Sequence, residues 1–318
     1  MTDPTGDRET VSLQSLFASH PRHWRENLYV YPVISRRSRG LSIGVNLNPD
    51  KACNFDCIYC QVDRKVPPIV PGTAPCTAPC TAPGTAKADA VAGRKVDLGR
   101  LRVELEAMAD LAATGRLFED GSFAGVPASH RQIRDIAFSG DGEPTACTLF
   151  PEAVALAAEV RRSRRLDDVK LRLITDAAYL DRPAVRAALA VMHANNGEIW
   201  AKLDAGTEEY YRLVNRPNVP LATVLANILE AARSFNVVIQ SLWMTIHGRP
   251  PPDAEVDAFA RRLADILTGG GRLTLVQIYT VARQTAEPYV TPLDDAQLHA
   301  IAGRVRAIVD VPIEVFGT

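Results

Sequence analysis

"LSIGVNLNPDKACNFDCIYCQ", residues 41–61, decides how the rest of the chain reads. Its first half alternates Leu41, Ile43, Val45 and Leu47 and stops at Pro49, the pattern of a strand. Its second half packs Cys53, Cys57 and Cys60 into eight positions, with the aromatic Tyr59 directly before the last of them. A strand that empties into a ligand-rich loop is how parallel α/β sheets place their sites, at the carboxyl ends of the strands.

The chain downstream repeats that plan. Apolar runs rich in β-branched residues recur at 133–140, 169–177, 198–205, 237–246 and 273–281, making six strands with the first. Between them, apolar residues at three- and four-residue spacing predict helices over 98–113, 151–165, 181–194, 220–235, 253–267 and 294–309. Asp181 ahead of "RPAV" and Asp294 ahead of "DAQL" are suitable helix starts. Alternation of this kind predicts an α/β fold: a partial (β/α)6 barrel of parallel strands with outer helices. "PIEVFG", residues 312–317, is a candidate last strand.

Composition sets the outer bounds. Hydrophobic residues at 47% and charged residues at 23% suit a soluble globular chain with a buried core. A formal charge of −1 argues against coating nucleic acid through bulk electrostatics and leaves a local basic patch open. No apolar core follows a basic start in the first thirty residues, and no window reaches the roughly 18 apolar residues that cross a bilayer. A cytoplasmic protein with no membrane partner is the expectation. Six cysteines, three of them in one loop, do not look like a disulfide scaffold.

Two segments depart from the plan. Residues 67–95 repeat a Thr-Ala-Pro unit every four residues, a proline density that forbids helix and sheet ladders, so this is read as a low-complexity insertion. Its Cys76 and Cys80 arise from the repetition itself and are read as binding nothing. Residues 1–40 are read as an N-terminal extension packed on the sheet, and 41–318 as the barrel proper.

Three cysteines pose a stoichiometric question. A structural zinc site wants four ligands, commonly two spaced pairs, and here the nearest later cysteines are those of the repeat and then Cys147. None of the six histidines forms a spaced partner pair near the loop. A [4Fe–4S] cluster offers another account: three thiolates hold three irons and leave the fourth open to a chelating ligand. The amino and carboxylate groups of S-adenosyl-L-methionine can supply that chelation. A zinc-closed site would instead need a ligand from distant sequence.

Cys-x3-Cys-x2-Cys with Tyr59 in place resembles the signature of the radical S-adenosylmethionine (radical SAM) enzymes. The second strand ends in "FSGDGEPT", 138–145, where Gly140, Asp141, Gly142 and Glu143 match the family's glycine-acid turn in position and composition. "SRRSRGLSIGVNLNPDKACNFDCIYCQ", "LDAGTEEYYRLVNRP" and "VQIYTVAR" extend the similarity to a branch distantly similar to the wyosine-type tRNA-modifying group. The resemblance covers roughly residues 30–318. It implies that Cys53, Cys57 and Cys60 ligate a [4Fe–4S] cluster, that Tyr59 packs near the adenine, and that Gly140 to Glu143 hold the cofactor's amino group. It further implies reductive cleavage of S-adenosyl-L-methionine to a 5′-deoxyadenosyl radical that takes hydrogen from a substrate, with an external one-electron reductant of flavodoxin or ferredoxin type.

Softer candidates follow. "AKLDAG" closes the fourth strand, and relatives often place a polar side chain there on the cofactor's ribose or carboxylate. Lys202 and Asp204 share one face by the two-residue period, inward into the barrel mouth; a buried structural ion pair is the competing reading. Thr175 and Asp176 end the third strand, and Gln240 and Gln277 lie on the fifth and sixth. Arg216, in "VNRPN", either grips an anionic substrate or the cofactor carboxylate, or caps a helix.

Some features depart from the family. Thr175, Asp176 and Ala177 stand where the branch often has Thr-Asn-Gly, and the fifth strand lacks the glycine-centred adenine motif of many relatives. No cysteine-rich module follows the barrel, so one cluster is expected. The substrate's class stays open among nucleoside, RNA, peptide, lipid and small metabolite. A non-catalytic metal-stabilised binding or sensor protein, holding zinc or an Fe–S cluster on the same fold, is the alternative, and a polar methyltransferase that needs no cluster is a further rival.

Overall fold

The computed structural model describes residues 24–62 and 96–317. The 67–95 insertion, with Cys76 and Cys80, therefore lies outside the described residues. All six predicted strands are present as β2 (Gly40–Val45), β3 (Ile133–Phe138), β4 (Lys170–Thr175), β5 (Gly197–Lys202), β6 (Val237–Ile246) and β7 (Leu273–Thr280). Each pairs parallel with the next, in chain order. Parallel neighbours need long crossovers, and helices supply them: α1 (Leu98–Ala113), α2 (Phe150–Ser163), α3 (Pro183–His193), α4 (Glu208–Asn215), α5 (Leu221–Ser234), α6 (Asp253–Thr268) and α7 (Asp295–Arg306).

Three further strands complete the sheet. β1 (Val30–Ser35) makes an antiparallel hairpin with β2, β9 (Ile313–Phe316) adds parallel to β7, and β8 (Val290–Pro292) pairs antiparallel with the end of β6. β9 is the strand expected at 312–317. β1 falls in the stretch read as an extension; Pro32 at its centre suits the edge position it occupies. Among the described residues no ladder joins β1 to β9, so the sheet is a curled half-barrel.

The strands divide their side chains by the period of two. Leu41, Ile43 and Val45 of β2, Ile136 and Phe138 of β3, and Leu171 and Leu173 of β4 are fully buried and belong to the apolar core. The alternate positions, among them Gly44, Ala137, Ile174, Trp200, Gln240 and Tyr279, line an interior cavity of about 300 Å³. Gly44, Ala137 and Gln240, small or polar within otherwise apolar strands, are thus turned inward beside larger rings, as the period of two requires.

Helix ends carry their own chemistry. Asp294 forms a capping box with Gln297 at the start of α7, as its position suggests. Asp181 does not cap α3: the helix begins at Pro183 with Arg182 in the cap position, because proline's fixed φ already suits the first turn. Among the described residues no helix is long and apolar enough to cross a membrane.

Candidate functional site

The loop after β2 is held from both sides by backbone hydrogen bonds. Asp56 N and Ile58 N donate to the carbonyls of Asn215 (3.2 Å) and Val214 (3.0 Å) at the end of α4. On the other side, Ala286 N donates to Cys60 O at 2.8 Å and Glu287 N to Ile58 O at 3.3 Å. Cys53, Cys57 and Cys60 form no disulfide, are half-buried, and all three line the cavity; Cys147, also without a disulfide, does not. Among the described residues no group of three or more histidine, cysteine, aspartate and glutamate side chains is gathered to hold a single metal ion. The three thiols reach the cavity from one loop, spread along its wall.

The turn after β3 locks against this loop. Neither Gly140 nor Gly142 has a positive φ. A Cβ on Gly140 would sit 2.3 Å from Asn46 Oδ1, and one on Gly142 only 1.9 Å from the carbonyl oxygen of Ala52. Glycine is required here because Asn46 and the cysteine loop pack directly on the turn. Asn46 also receives the Asp141 amide at 3.2 Å and donates to Asp141 Oδ2 at 2.8 Å, so β2's exit grips the turn as well.

Glu143 is buried and heavily bonded. It accepts from Thr145 N (3.0 Å), Thr145 Oγ1 (2.5 Å), Thr175 Oγ1 (2.8 Å) and Asp176 N (2.8 Å). Burial still pushes its carboxyl above the ordinary range, against those hydrogen bonds. Burial pushes Asp176 up further, and the neighbouring Glu143 adds to it. Asp176 Oδ1 accepts the Ala178 amide at 2.9 Å, while Oδ2 is buried with no hydrogen-bond partner. Ala177 follows in the left-handed region at φ 64°, the conformation that the glycine of a Thr-Asn-Gly would adopt freely.

Across the cavity stands a second polar group. Lys202 and Asp204 both face inward, their Nζ and Oδ1 3.3 Å apart. Asp204 also accepts the Leu242 amide at 2.8 Å, Asn215 Nδ2 at 3.1 Å and the hydroxyl of Tyr59. Lys202 donates to the Tyr279 hydroxyl at 2.9 Å and sits 4.9 Å over the Tyr59 ring. Burial works against its charge, but Asp204 and then Tyr279 hold it protonated above the usual lysine range. Burial and the Asp204 charge push the Tyr59 phenol well up, and burial pushes the Cys57 thiol to about 12 despite hydrogen bonds from Tyr59 and Asn215.

The structure brings most of the predicted residues together and leaves one out. Cys53, Cys57, Tyr59, Cys60, Gly140 to Glu143, Thr175, Lys202 and Asp204 all line the same cavity. Arg216 does not. It ends α4 in the left-handed region and ties two loops together through Glu287 (2.7 Å), the Tyr289 hydroxyl (3.1 Å) and Asp56 (3.4 Å). The residue that the reading missed is its neighbour Asn215, which is buried and bonds Tyr59, Asp204 and, at 3.5 Å, Cys57. Its only sequence signal was membership of "VNRPN"; arginine drew attention there because it is charged.

No family model matches the chain. Among curated proteins it is 22% identical over 288 residues to GTPase Obg of Brachyspira hyodysenteriae, covering 89% of this chain and 34% of that protein. It is 27% identical over 204 residues to UPF0026 protein MJ1312 of Methanocaldococcus jannaschii, covering 64% of this chain and 48% of that protein. The chain therefore spans between a third and a half of the length of these relatives. It contains no Gly-x4-Gly-Lys-Ser/Thr phosphate loop. Among solved structures, SuiB of Streptococcus suis bound to S-adenosylmethionine superimposes with a TM-score of 0.50 at 10% identity, covering 89% of this chain and 52% of SuiB. The fold of the chain is thus similar to that of SuiB, a protein solved with S-adenosylmethionine bound.

Proposed function

We propose that this chain is a radical S-adenosylmethionine enzyme that cleaves S-adenosyl-L-methionine reductively and uses the 5′-deoxyadenosyl radical to remove a hydrogen atom from a substrate. The observation that carries this reading is that three thiols and the Gly140 to Glu143 turn, from the ends of successive strands, open on one cavity. In this reading Cys53, Cys57 and Cys60 hold a [4Fe–4S] cluster, which when bound supplies the electron for cleavage. That SuiB was solved with S-adenosylmethionine bound supports the choice of cofactor.

The chain's own residues then have distinct tasks. Glu143, fixed by Thr145 and Thr175, keeps acceptor capacity beside the thiol loop for an ammonium group, and the orphaned Asp176 Oδ2 lies next to it. Tyr59 is pinned by Asp204 and Asn215, so its ring is a fixed wall for a flat heterocycle. Lys202 is held charged by Asp204 and offers polar contact to a ribose or a carboxylate. Arg216 acts on this site only through the loops it joins. The domain limits read from the sequence, a barrel from residue 41 with an insertion at 67–95, a cytoplasmic setting, and a flavodoxin- or ferredoxin-type donor belong to the same proposal.

The test is anaerobic reconstitution with iron and sulfide, then incubation with dithionite and S-adenosyl-L-methionine. Stoichiometric methionine and 5′-deoxyadenosine are expected. A brown, cluster-bearing protein that yields neither would sink the enzyme reading in favour of a binding or sensor protein. A colourless protein that binds zinc tightly would sink the cluster with it.

A further inference from the structure

The arginines of the β1–β2 turn do different things. Arg36 donates to the carbonyl of Gly317 and lies over the Phe316 ring, and Arg39 pairs with Glu314 at 2.9 Å. These two tie the hairpin to β9 across the open side of the sheet. Arg37 points instead into the cavity, its guanidinium 4.7 Å from the centre of the Tyr279 ring and 5.6 Å from that of Trp200.

Among the described residues no carboxylate pairs with Arg37, and its Nη1 is buried without a hydrogen-bond partner. The nearby carboxylates are engaged elsewhere. Asp135 takes Ser42 and Arg172, Glu198 takes Arg172 at 3.0 Å, Lys170 at 2.5 Å and Trp200 Nε1 at 2.8 Å, and Asp204 is shared by Lys202, Tyr59 and Asn215. Aromatic faces favour a cation but cannot accept its fork of N–H groups. A half-buried guanidinium whose Nη1 is buried without a partner is costly to keep unless a ligand completes it.

Its position bears on where such a ligand lies. From the thiols the contacts run through Asn215 and Tyr59 to Lys202, then to Tyr279, and only then to Arg37. The hairpin enters at the amino end of β2, whereas the cysteine loop leaves its carboxyl end. Asn215, Tyr59, Lys202 and Tyr279 thus stand in the contact path between Cys57 and Arg37.

We propose that Arg37 anchors an oxyanion, a carboxylate or a phosphate, carried by a small-molecule substrate that lies in the cavity between the β1–β2 turn and the Lys202–Tyr279 pair. This inference rests on reading the cavity as a reaction chamber. A planar guanidinium held between two rings presents its free edge for two-point recognition, which a lysine in the same place would not.

Titrating the full chain with inorganic phosphate and with acetate, against sodium chloride at equal ionic strength, tests the anchor. The melting temperature should rise saturably with at least one of the two anions, and which one tells phosphate from carboxylate. Arg37→Gln should weaken that response roughly tenfold or more, the loss of one charge-assisted contact. Arg37→Lys, which keeps the charge and the fold, should weaken it several-fold, and Arg39→Gln should leave it unchanged. No response beyond chloride in the unaltered chain, or the same response in Arg37→Lys as in the unaltered chain, overturns the proposal. Formation of 5′-deoxyadenosine is scored separately. Cofactor cleavage without an anion response removes the Arg37 site alone, and an anion response without cleavage removes the reaction assigned to the chamber and leaves the anion site.

Discussion

The barrel interior holds two charged networks, and they differ in what they leave open. Toward the amino ends of the strands, Arg172 joins Asp135 and Glu198, Lys170 joins Glu198, and Ser42 and Trp200 fill the remaining acceptors. This floor is closed on itself. At the carboxyl ends, the rim network of Lys202, Asp204, Tyr59 and Asn215 touches a thiol and leaves Asn215 Oδ1 buried without a partner, as Asp176 Oδ2 also is. The difference teaches what each network has left over: the floor's charges answer one another, and the rim keeps acceptor atoms that no side chain fills.

The largest expected effect separates rim from floor outright. Cys57→Ala should abolish the iron–sulfur absorbance of the reconstituted protein and the formation of 5′-deoxyadenosine, while the thermal melt of the apo chain stays within a few degrees. Retained activity in that variant would remove the cluster from the chemistry.

Next come the two networks themselves. Asp204→Ala leaves a buried ammonium beside Tyr59 and Tyr279 and should cost about 3–5 kcal/mol in urea denaturation. Cofactor binding should fall with it, since Tyr59 loses its anchor. Arg172→Met, on the floor, should cost about 3 kcal/mol because Asp135 and Glu198 keep other partners, yet leave cofactor cleavage within a few-fold. Equal losses of cleavage in the two variants would erase the distinction between the networks.

Gly142→Ala is a smaller probe of the rim. The new methyl meets the Ala52 carbonyl, so the cysteine loop must move, at about 1–3 kcal/mol. Iron occupancy after reconstitution should drop more than stability does.

Smallest is a pH effect. Glu143 and Asp176 both have carboxyl pKa values raised by burial, and Asp176 further by Glu143. The folded chain thus binds protons more tightly than the unfolded one. Their contribution to stability is fully present below the ordinary carboxylate range and is lost as pH rises toward the raised folded values. Asp176→Asn should remove part of that slope, raising stability at pH 8 and leaving it unchanged near pH 4. Denaturation midpoints at the two pH values measure it; a variant destabilised at pH 8 would show that Asp176 is held as a charged partner.

Much of this was legible beforehand, for identifiable reasons. The six parallel strands were readable because their apolar positions alternate, and α7 because Asp294 and Gln297 form its cap locally. The rim cysteines and the glycine turn were readable because their spacing is set within one loop. The floor was not. Asp135, Arg172 and Glu198 come from three different strands, and only the register of β3, β4 and β5 sets them side by side. Asn215 was hidden for the same reason, as an uncharged residue whose partners arrive from β2, β5 and their loops.

The amino-acid sequence by itself determined the order of the six parallel strands and of the helices between most of them, the loop of three thiols and the glycine turn, because each depends on neighbours within a few residues. Only the tertiary structure decided that Arg216 fastens loops while Arg37 turns into the cavity, and that Gly142 answers to Ala52. A side chain's partner is a matter of distance in space, and the curl of the sheet brings together strands far apart in the chain.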